Sequence, residues 1–393
     1  VFQNPKRNPK HHWTAAWTAS PQPPSTGFTP NWSQEGFSGH TVRQVVRVTA
    51  AGDRVRIRLS NAYGTSPLHV TGATVALTDT GAAVRPGTPH HLTFGGDRSV
   101  AVPARAHVES DAAPLAPHRL DRLTVTLHLA GTTGPATFHA QGFTDTHRAG
   151  GDHLDDVTGA PFTEVTSSWY YLTGVDVSTA AGGTPASAPG VVLFGDSLTD
   201  GFGSTPNADR RWSDALAERV ERPVLNAGIG GNLLLNDSAW YGERSSARFH
   251  RDALGLPGAG TVVLLQGLND IGFSEARDQA TYKPAPVLSS ADLVAGYRTL
   301  IRAAHDRGVR IVGATILPFK GTTHWGPRAA KVSAEVNDWM RGSGEFDAVA
   351  DLHRIMADPA DPDLLNPAYA YEDGLHPDDA GYRVMAEAVA PLL

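Results

Sequence analysis

The fold this sequence predicts is an all-β sandwich of jelly-roll type followed by a three-layer α/β/α domain with helices on both faces of a parallel sheet. Three observations carry that expectation. Apolar residues alternate at period two in short stretches through the first half, with no convincing amphipathic helix before about residue 190. A small, proline-studded segment, Ser178 to Pro189, then interrupts the chain. Beyond it, apolar strand-like runs alternate with helix-period segments, the βα rhythm of a parallel sheet. The expected organisation is a β-sandwich domain over 1–180 that opens with an extended arm, a linker over 181–189 and an α/β domain over 190–393.

In the first half the opening is polar and proline-rich, with Trp13 and Trp17 read as anchors that pin an extended arm onto the domain. Thr41–Val48 is the first period-2 stretch. Asp53–Ser60 is the cleanest, with Val55, Ile57 and Leu59 alternating with Arg54, Arg56 and Arg58. That pattern predicts a half-buried strand whose arginine row forms a solvated face. His69–Leu77, Ser99–Val102, Arg122–Leu129 and Ala136–Ala140 follow as further strands. The histidines from His11 to His153, His139 among them, show no ligand spacing and are read as surface or packing residues, so no metal site is expected.

In the second half the run Gly190-Val-Val-Leu-Phe-Gly195 suits a strand buried on both faces, ending abruptly at Asp196-Ser197. Helix Asp209–Val220 carries Trp212, Leu216 and Val220 on one face. Val224–Ala227 reads as a short strand running into Gly228-Ile229-Gly230-Gly231-Asn232. Helix Ser245–Leu254 leads to strand Thr261–Leu265 and the turn Gly267-Leu268-Asn269-Asp270. Helix Ser290–Arg307, stopped by Gly308, precedes strand Val309–Leu317. Helix Pro327–Arg341, strand Ala348–Leu352 and helix Asp378–Leu392 close the chain.

Composition narrows the function classes. The chain of 393 residues carries 33 basic and 40 acidic side chains, a net charge of −7. The balance is near neutral through residue 188, with 14 basic against 13 acidic, so the acidity belongs to the second half. No basic run is present, and nucleic acid is not an expected partner. The absence of cysteine excludes disulfides, thiolate metal sites and a cysteine nucleophile. No apolar run approaches the ~18 residues of a membrane span, so no transmembrane segment is expected. The chain opens at Val1 with no charged-then-apolar leader, read as a mature secreted chain without its signal peptide or as a truncated form.

Parallel strands bring their carboxyl ends to one sheet edge, where α/β folds place ligands. Asp196-Ser197, Gly230-Gly231, Asn269-Asp270 and Asp373-Gly374-Leu375-His376 all sit in loops that can converge there. A serine hydroxyl is a weak nucleophile and needs a base within hydrogen-bond reach. His376 can take the proton of Ser197, and Asp373 can orient the imidazole. Backbone N–H groups of Ser197 and Gly231, with the side-chain amide of Asn269, supply donors for a tetrahedral oxyanion; Gly230 is the alternative to Gly231. Each motif alone is common: Asp-x-x-His is usually a surface turn, and Gly-Gly a turn needing positive φ. The set in this order is what points to acyl transfer.

These residues resemble the SGNH/GDSL hydrolase superfamily. Phe194-Gly-Asp-Ser-Leu-Thr-Asp200 is similar to its first block, whose serine is the nucleophile. Asn226–Asn232 is similar to the second, with an oxyanion glycine; Gly267-Leu-Asn-Asp270 to the third, with an oxyanion asparagine; and Asp373–Pro377 to the fifth, with the acid and base. Thr199 replaces the serine frequent after Gly-Asp-Ser-Leu, and Gln266 stands where glutamate is expected. With Trp13…Trp17-Thr-Ala-Ser20, the pattern looks like a two-domain group of secreted bacterial GDSL esterases. The resemblance implies a serine esterase without cofactor, with short acyl groups, possibly acetyl on carbohydrate, as the first reading and a small-molecule or polysaccharide ester as substrate. A lipase or phospholipase acting on longer chains, and an acyltransferase, are the alternatives. A non-catalytic binding module is disfavoured by the intact Ser197, Asn269, Asp373 and His376. Asp196, Asn232, Trp240 and Trp325 are the candidate substrate contacts, with Leu233–Tyr241 as a possible acyl wall.

Overall fold

The structure, a computed structural model, describes residues 12–179, 188–276 and 278–393. The first part of the expected arm and most of the expected linker, through residue 187, lie outside these residues. Two large antiparallel sheets, with two further two-stranded ones, make up the described N-terminal half. One sets strands Trp13–Thr18, Leu172–Ser178, Arg54–Ser60 and His107–Glu109 side by side. The other sets Glu164–Thr166, Thr146–Gly150, His40–Arg47, Arg122–Leu129, Gly72–Leu77 and His90–His91. Their inner faces share one core, in which Val55, Ile57 and Leu59 pack with Val42, Val46, Leu123, Val125 and Leu127. Burial of this alternating set is what fixes the strand register, since a slip by one residue would turn every apolar side chain outward.

The arginine row differs from the expectation of a solvated face. Asp176 lies opposite Arg56 on the neighbouring strand and is fully buried. Arg56 Nε reaches its Oδ2 at 3.0 Å and Arg58 Nε its Oδ1 at 3.2 Å. A buried carboxylate has to be paired, and two of the three arginines are drawn in to do it. Trp13 lies over the Arg56 guanidinium, 4.5 Å from its ring centre, and covers the pair.

The tryptophan segment is an edge strand, antiparallel to Leu172–Ser178. Trp17 packs edge-to-face on Trp169 in the sandwich core, with ring centres 4.8 Å apart. Ala15, in the same strand, belongs instead to the core of the C-terminal half, and its N–H donates to the Pro257 carbonyl. Thr49 Oγ1 adds a second tie, accepting from Val224 N–H at 3.0 Å and facing Val224 O at 2.9 Å.

The C-terminal half is a five-stranded parallel sheet in the order Val224–Gly228, Gly190–Gly195, Ala259–Leu265, Arg310–Ala314, Ala348–Ala350. Val191 to Phe194 are completely buried, as an unbroken apolar run between two helical layers requires. Helices Ser290–His305 and Pro327–Gly342 form close to their expected bounds, the first closed by a capping box between Ser289 and Asp292. The expected helix Asp209–Val220 shrinks to Trp212–Ala217, because Asn207 and Asp209 adopt positive φ and break its first turn. The first strand of this half in chain order lies second in the sheet, so the chain changes direction between Gly190–Gly195 and Ala259–Leu265. Ligand crevices in open α/β sheets form at such a switch point. Gly195 is in register with both Leu265 and Gly228, so the three loops that follow leave the sheet at one level.

Candidate active site

Strand Gly190–Gly195 turns through Asp196 into a four-residue helix, Ser197–Asp200, whose first residue is Ser197. Asp196 caps this helix, its Oδ1 accepting from Leu198 N–H at 3.0 Å. Ser197 is thereby held at the carboxyl edge of the sheet. His376 comes from the last loop, with Nε2 2.8 Å from Ser197 Oγ and Nδ1 2.6 Å from Asp373 Oδ2. Asp373 Oδ1 accepts the N–H groups of Leu375 and His376, both at 3.0 Å, which fixes the loop as an Asp-x-x-His turn. Burial pushes the Asp373 carboxyl up, but the hydrogen bond and charge of His376, with those two N–H groups, outweigh it and hold it at about 2. An ionised carboxylate only accepts, so Nδ1 carries the hydrogen and Nε2 is left to take a proton from Ser197. Phe202 packs on the imidazole, with ring centres 4.5 Å apart.

Two glycines set the donors around Ser197. Gly231 has φ +73, and a Cβ there would lie 2.4 Å from the Tyr241 ring, so only glycine brings this backbone to the cavity. Gly267 has φ +108, and a Cβ would lie 2.4 Å from the Tyr297 hydroxyl. That turn starts helix Leu268–Gly272 and places Asn269 on the cavity wall. Asn269 Nδ2 donates one hydrogen to the Asn232 carbonyl at 3.1 Å, and the amide carries a second. Gln266 Nε2 donates to the same carbonyl at 3.1 Å, a neutral donor beneath the loop that carries Gly231. Replacing Asn269 by alanine is expected to lower kcat on p-nitrophenyl acetate by about 10²–10³-fold, the cost of one lost oxyanion donor. A kcat within a few-fold of wild type would remove Asn269 from that role.

Arg248 underlies the whole assembly and is completely buried. Its guanidinium donates to Gly195 O at 2.8 Å, Ala227 O at 2.8 Å and Asn232 Oδ1 at 3.0 Å, and pairs with Asp252 at 3.3 Å. One planar donor therefore ties together the backbone before Ser197, the strand before the glycine loop and the loop itself. Asp196 and Asp270 are also buried, and burial pushes each carboxyl up to about 7.

The cavity over Ser197 measures about 360 Å³. Gly231, Asn269, Asp373 and His376 line it with Ser197, so the residues expected to converge do so. Its walls are Phe202, Tyr241, Phe273, Tyr282 and His324 from the C-terminal half, and Phe28 and Gln141 from the N-terminal half. The four expected substrate contacts lie elsewhere. Asp196 is 1% exposed and serves as the helix cap. Asn232 is fully buried, donating to the carbonyls of Tyr241 and Glu243 and accepting from Arg248. Trp240 packs against the cluster of Leu233, Tyr241 and Phe273. Trp325 stacks edge-on against Phe319 at 5.1 Å. Of the Leu233–Tyr241 segment, Tyr241 alone reaches the cavity.

Two polar atoms at this cavity are buried without a hydrogen-bond partner among the described residues, Gln141 Oε1 and His324 Nε2. His324 is enclosed by Phe273 and Tyr282. Burial first, and then the neighbouring His376 charge, push its imidazole down to about 4, so it is neutral at physiological pH. A second cavity of about 500 Å³ adjoins the first, sharing Phe28, Gln141 and Phe202, and carries no charged side chain on its lining.

Residues 193–384 match the GDSL-like Lipase/Acylhydrolase family. No match is found among curated proteins. Solved structures similar to the C-terminal half include a G-D-S-L family protein from Desulfitobacterium hafniense, 19% identical over 52% of this chain and 99% of that one, with a TM-score of 0.40. A GDSL-like lipase from Bacteroides thetaiotaomicron is 17% identical over 52% of this chain and 87% of that one, at 0.40. A catalytic mutant of an acetylxylan esterase from Geobacillus stearothermophilus is 19% identical over 53% and 94%, at 0.39.

Proposed function

The C-terminal half carries a GDSL-like lipase/acylhydrolase domain, and from that premise we propose that the chain is a serine esterase that releases short acyl groups from polar alcohols, with acetylated carbohydrate as the leading substrate class. The observation that carries the esterase reading is the continuous hydrogen-bonded line from Asp373 through His376 to Ser197 Oγ at the floor of a cavity. Ser197 Oγ attacks the ester carbonyl while His376 Nε2 takes its proton. The tetrahedral oxyanion is met by the N–H groups of Ser197 and Gly231 and by the Asn269 amide. His376 then protonates the leaving alcohol, which departs and leaves an acyl-Ser197 ester. A water gives its proton to His376, attacks the acyl carbonyl, and the acid leaves as Ser197 regains its hydrogen.

Two features support the finer reading. The cavity itself lies near the lower end of the ~300–1,000 Å³ span of small-molecule sites, a volume that suits a short acyl group. The lining also includes Gln141, Thr322, Thr323 and His324, polar side chains that suit a hydroxylated alcohol better than a hydrocarbon chain. The test is initial rates on p-nitrophenyl esters from acetate to palmitate, beside acetylated xylo-oligosaccharides and a simple alkyl acetate. Rates should fall steeply beyond butyrate, and the oligosaccharide should exceed the alkyl acetate in kcat/KM by about 10-fold, the worth of one or two hydrogen bonds. A maximum at long acyl chains would move the substrate to lipids.

A further inference from the structure

His139 stands in the N-terminal half, on the short strand Phe138–His139, yet its side chain ends beside the helix that starts with Ser197. It is 3% exposed, and its ring stacks on Trp169 with centres 5.5 Å apart. Nδ1 lies 2.9 Å from the Ser20 carbonyl oxygen, and Nε2 lies 3.0 Å from Asp200 Oδ1. Both partners are acceptors. A neutral imidazole can donate to only one of them, so with Asp200 ionised both contacts are satisfied only by the doubly protonated ring. Asp200, itself 2% exposed, spends its other oxygen on the Gly230 N–H at 2.9 Å. Its own N–H closes onto the Asp196 carbonyl at 2.8 Å. One carboxylate therefore spans the turn that carries Ser197 and the loop that carries Gly231.

We propose that His139 is a positioning residue for catalysis: held as an imidazolium between Ser20 and Asp200, it locks the Ser197 helix to the Gly230-Gly231 loop and makes the N-terminal half part of the catalytic apparatus. The inference rests on the esterase reading given above, and it goes beyond it by assigning a working part to the β half. The charges facing the ring are few. Asp200 comes from the helix, Arg211 lies over the Trp169 ring at 5.7 Å and is paired with Asp214, and Arg248 reaches Ser20 Oγ at 3.2 Å. Burial pushes His139 down and Arg211 adds to that, but the charge and hydrogen bond of Asp200, with the Ser20 carbonyl, outweigh them and raise it. A raised imidazole holds its proton to higher pH than a free one and loses it as pH rises through its shifted value. The lock is thus present on the acid side and released on the alkaline side.

The test uses the full chain with p-nitrophenyl acetate, comparing wild type, His139→Gln and Asp200→Asn across pH, with Tm measured alongside. Both variants should lower kcat by about 10–100-fold, the size of effect that a small misplacement of reacting groups produces, with KM little changed. Wild type should lose kcat on the alkaline side, and His139→Gln should lack that step. Ring-nitrogen NMR of wild type provides a readout independent of turnover and of whether either variant folds. Two protonated nitrogens on His139 at neutral pH are expected. A neutral ring there, or a folded His139→Gln protein with the kcat and alkaline profile of wild type, overturns the proposal. Turnover that survives Ser197→Ala would instead remove the esterase reading and leave the NMR result to judge the charged clamp alone.

Discussion

Ser197→Ala is expected to lower kcat on p-nitrophenyl acetate by about 10⁴–10⁶-fold, as removal of the nucleophile does in serine hydrolases, while Tm stays close to wild type. The two halves of this expectation have separate causes. The hydroxyl makes its hydrogen bond to His376 rather than to a core group, so the fold does not depend on it. The chemistry does, because among the described residues it is the Ser197 hydroxyl that His376 Nε2 holds in hydrogen-bond reach. On the proposed mechanism the donors of Gly231 and Asn269 remain in the variant and still favour the tetrahedral state, which sets a floor above the uncatalysed rate. Steady-state rates read kcat, and thermal unfolding reads Tm. Unchanged turnover in a pure Ser197→Ala preparation would sink the assignment.

Asp373→Asn should cost about 10⁴-fold in kcat, nearly as much, without moving the imidazole. The carboxylate accepts from Nδ1–H at 2.6 Å; an amide nitrogen in its place donates and imposes the opposite tautomer. Nε2 then carries a hydrogen toward Ser197 and cannot act as base. The pH dependence follows from the low value of Asp373, about 2. A carboxyl depressed in the folded state contributes its stabilisation above its unfolded value, ~3.9, and loses it as pH falls through the folded one. Wild type should therefore gain stability from Asp373 through the whole range above ~pH 4, and the variant should show a smaller fall in Tm between about pH 4 and pH 2. Equal acid sensitivity of the two proteins would contradict the charge assignment.

The parts of the site that sequence makes legible share one property: they lie at ends of strands that periodicity identifies. Val191–Phe194 reads as a buried strand, so the apolar pattern alone puts Ser197 at a carboxyl end, and Thr261–Leu265 does the same for Asn269. The βα alternation of the second half carries the sheet, and the Val55-Ile57-Leu59 alternation carries one face of the sandwich. The walls are a different matter. Phe28 and Gln141 reach the cavity from irregular segments of the other half, and nothing in their neighbours' pattern says so. Size misleads for Trp240 and Trp325, because a large ring asks for burial but does not say on which side. Arg248 falls in a short helix, where an arginine ordinarily marks the solvated face, yet three acceptors and Asp252 draw it to complete burial. His139 sits in a strand read correctly as a strand, but its partners, Ser20 and Asp200, meet it through tertiary folding.

The edge strand Trp13–Thr18 also sets the order in which this molecule can be finished. Its residues leave the ribosome well ahead of the groups that complete it, the Pro257 carbonyl and the strand Val224–Gly228 packed beside it. At ~5–20 residues per second the delay from Ser178, the end of the strand that Trp13–Thr18 pairs with, to Pro257 is roughly 4–16 s. Through that interval the sandwich waits with one sheet margin uncovered, the state in which nascent sheets adhere to one another. Yield in a cell is then a matter of timing, of whether the second half arrives before a neighbouring chain does.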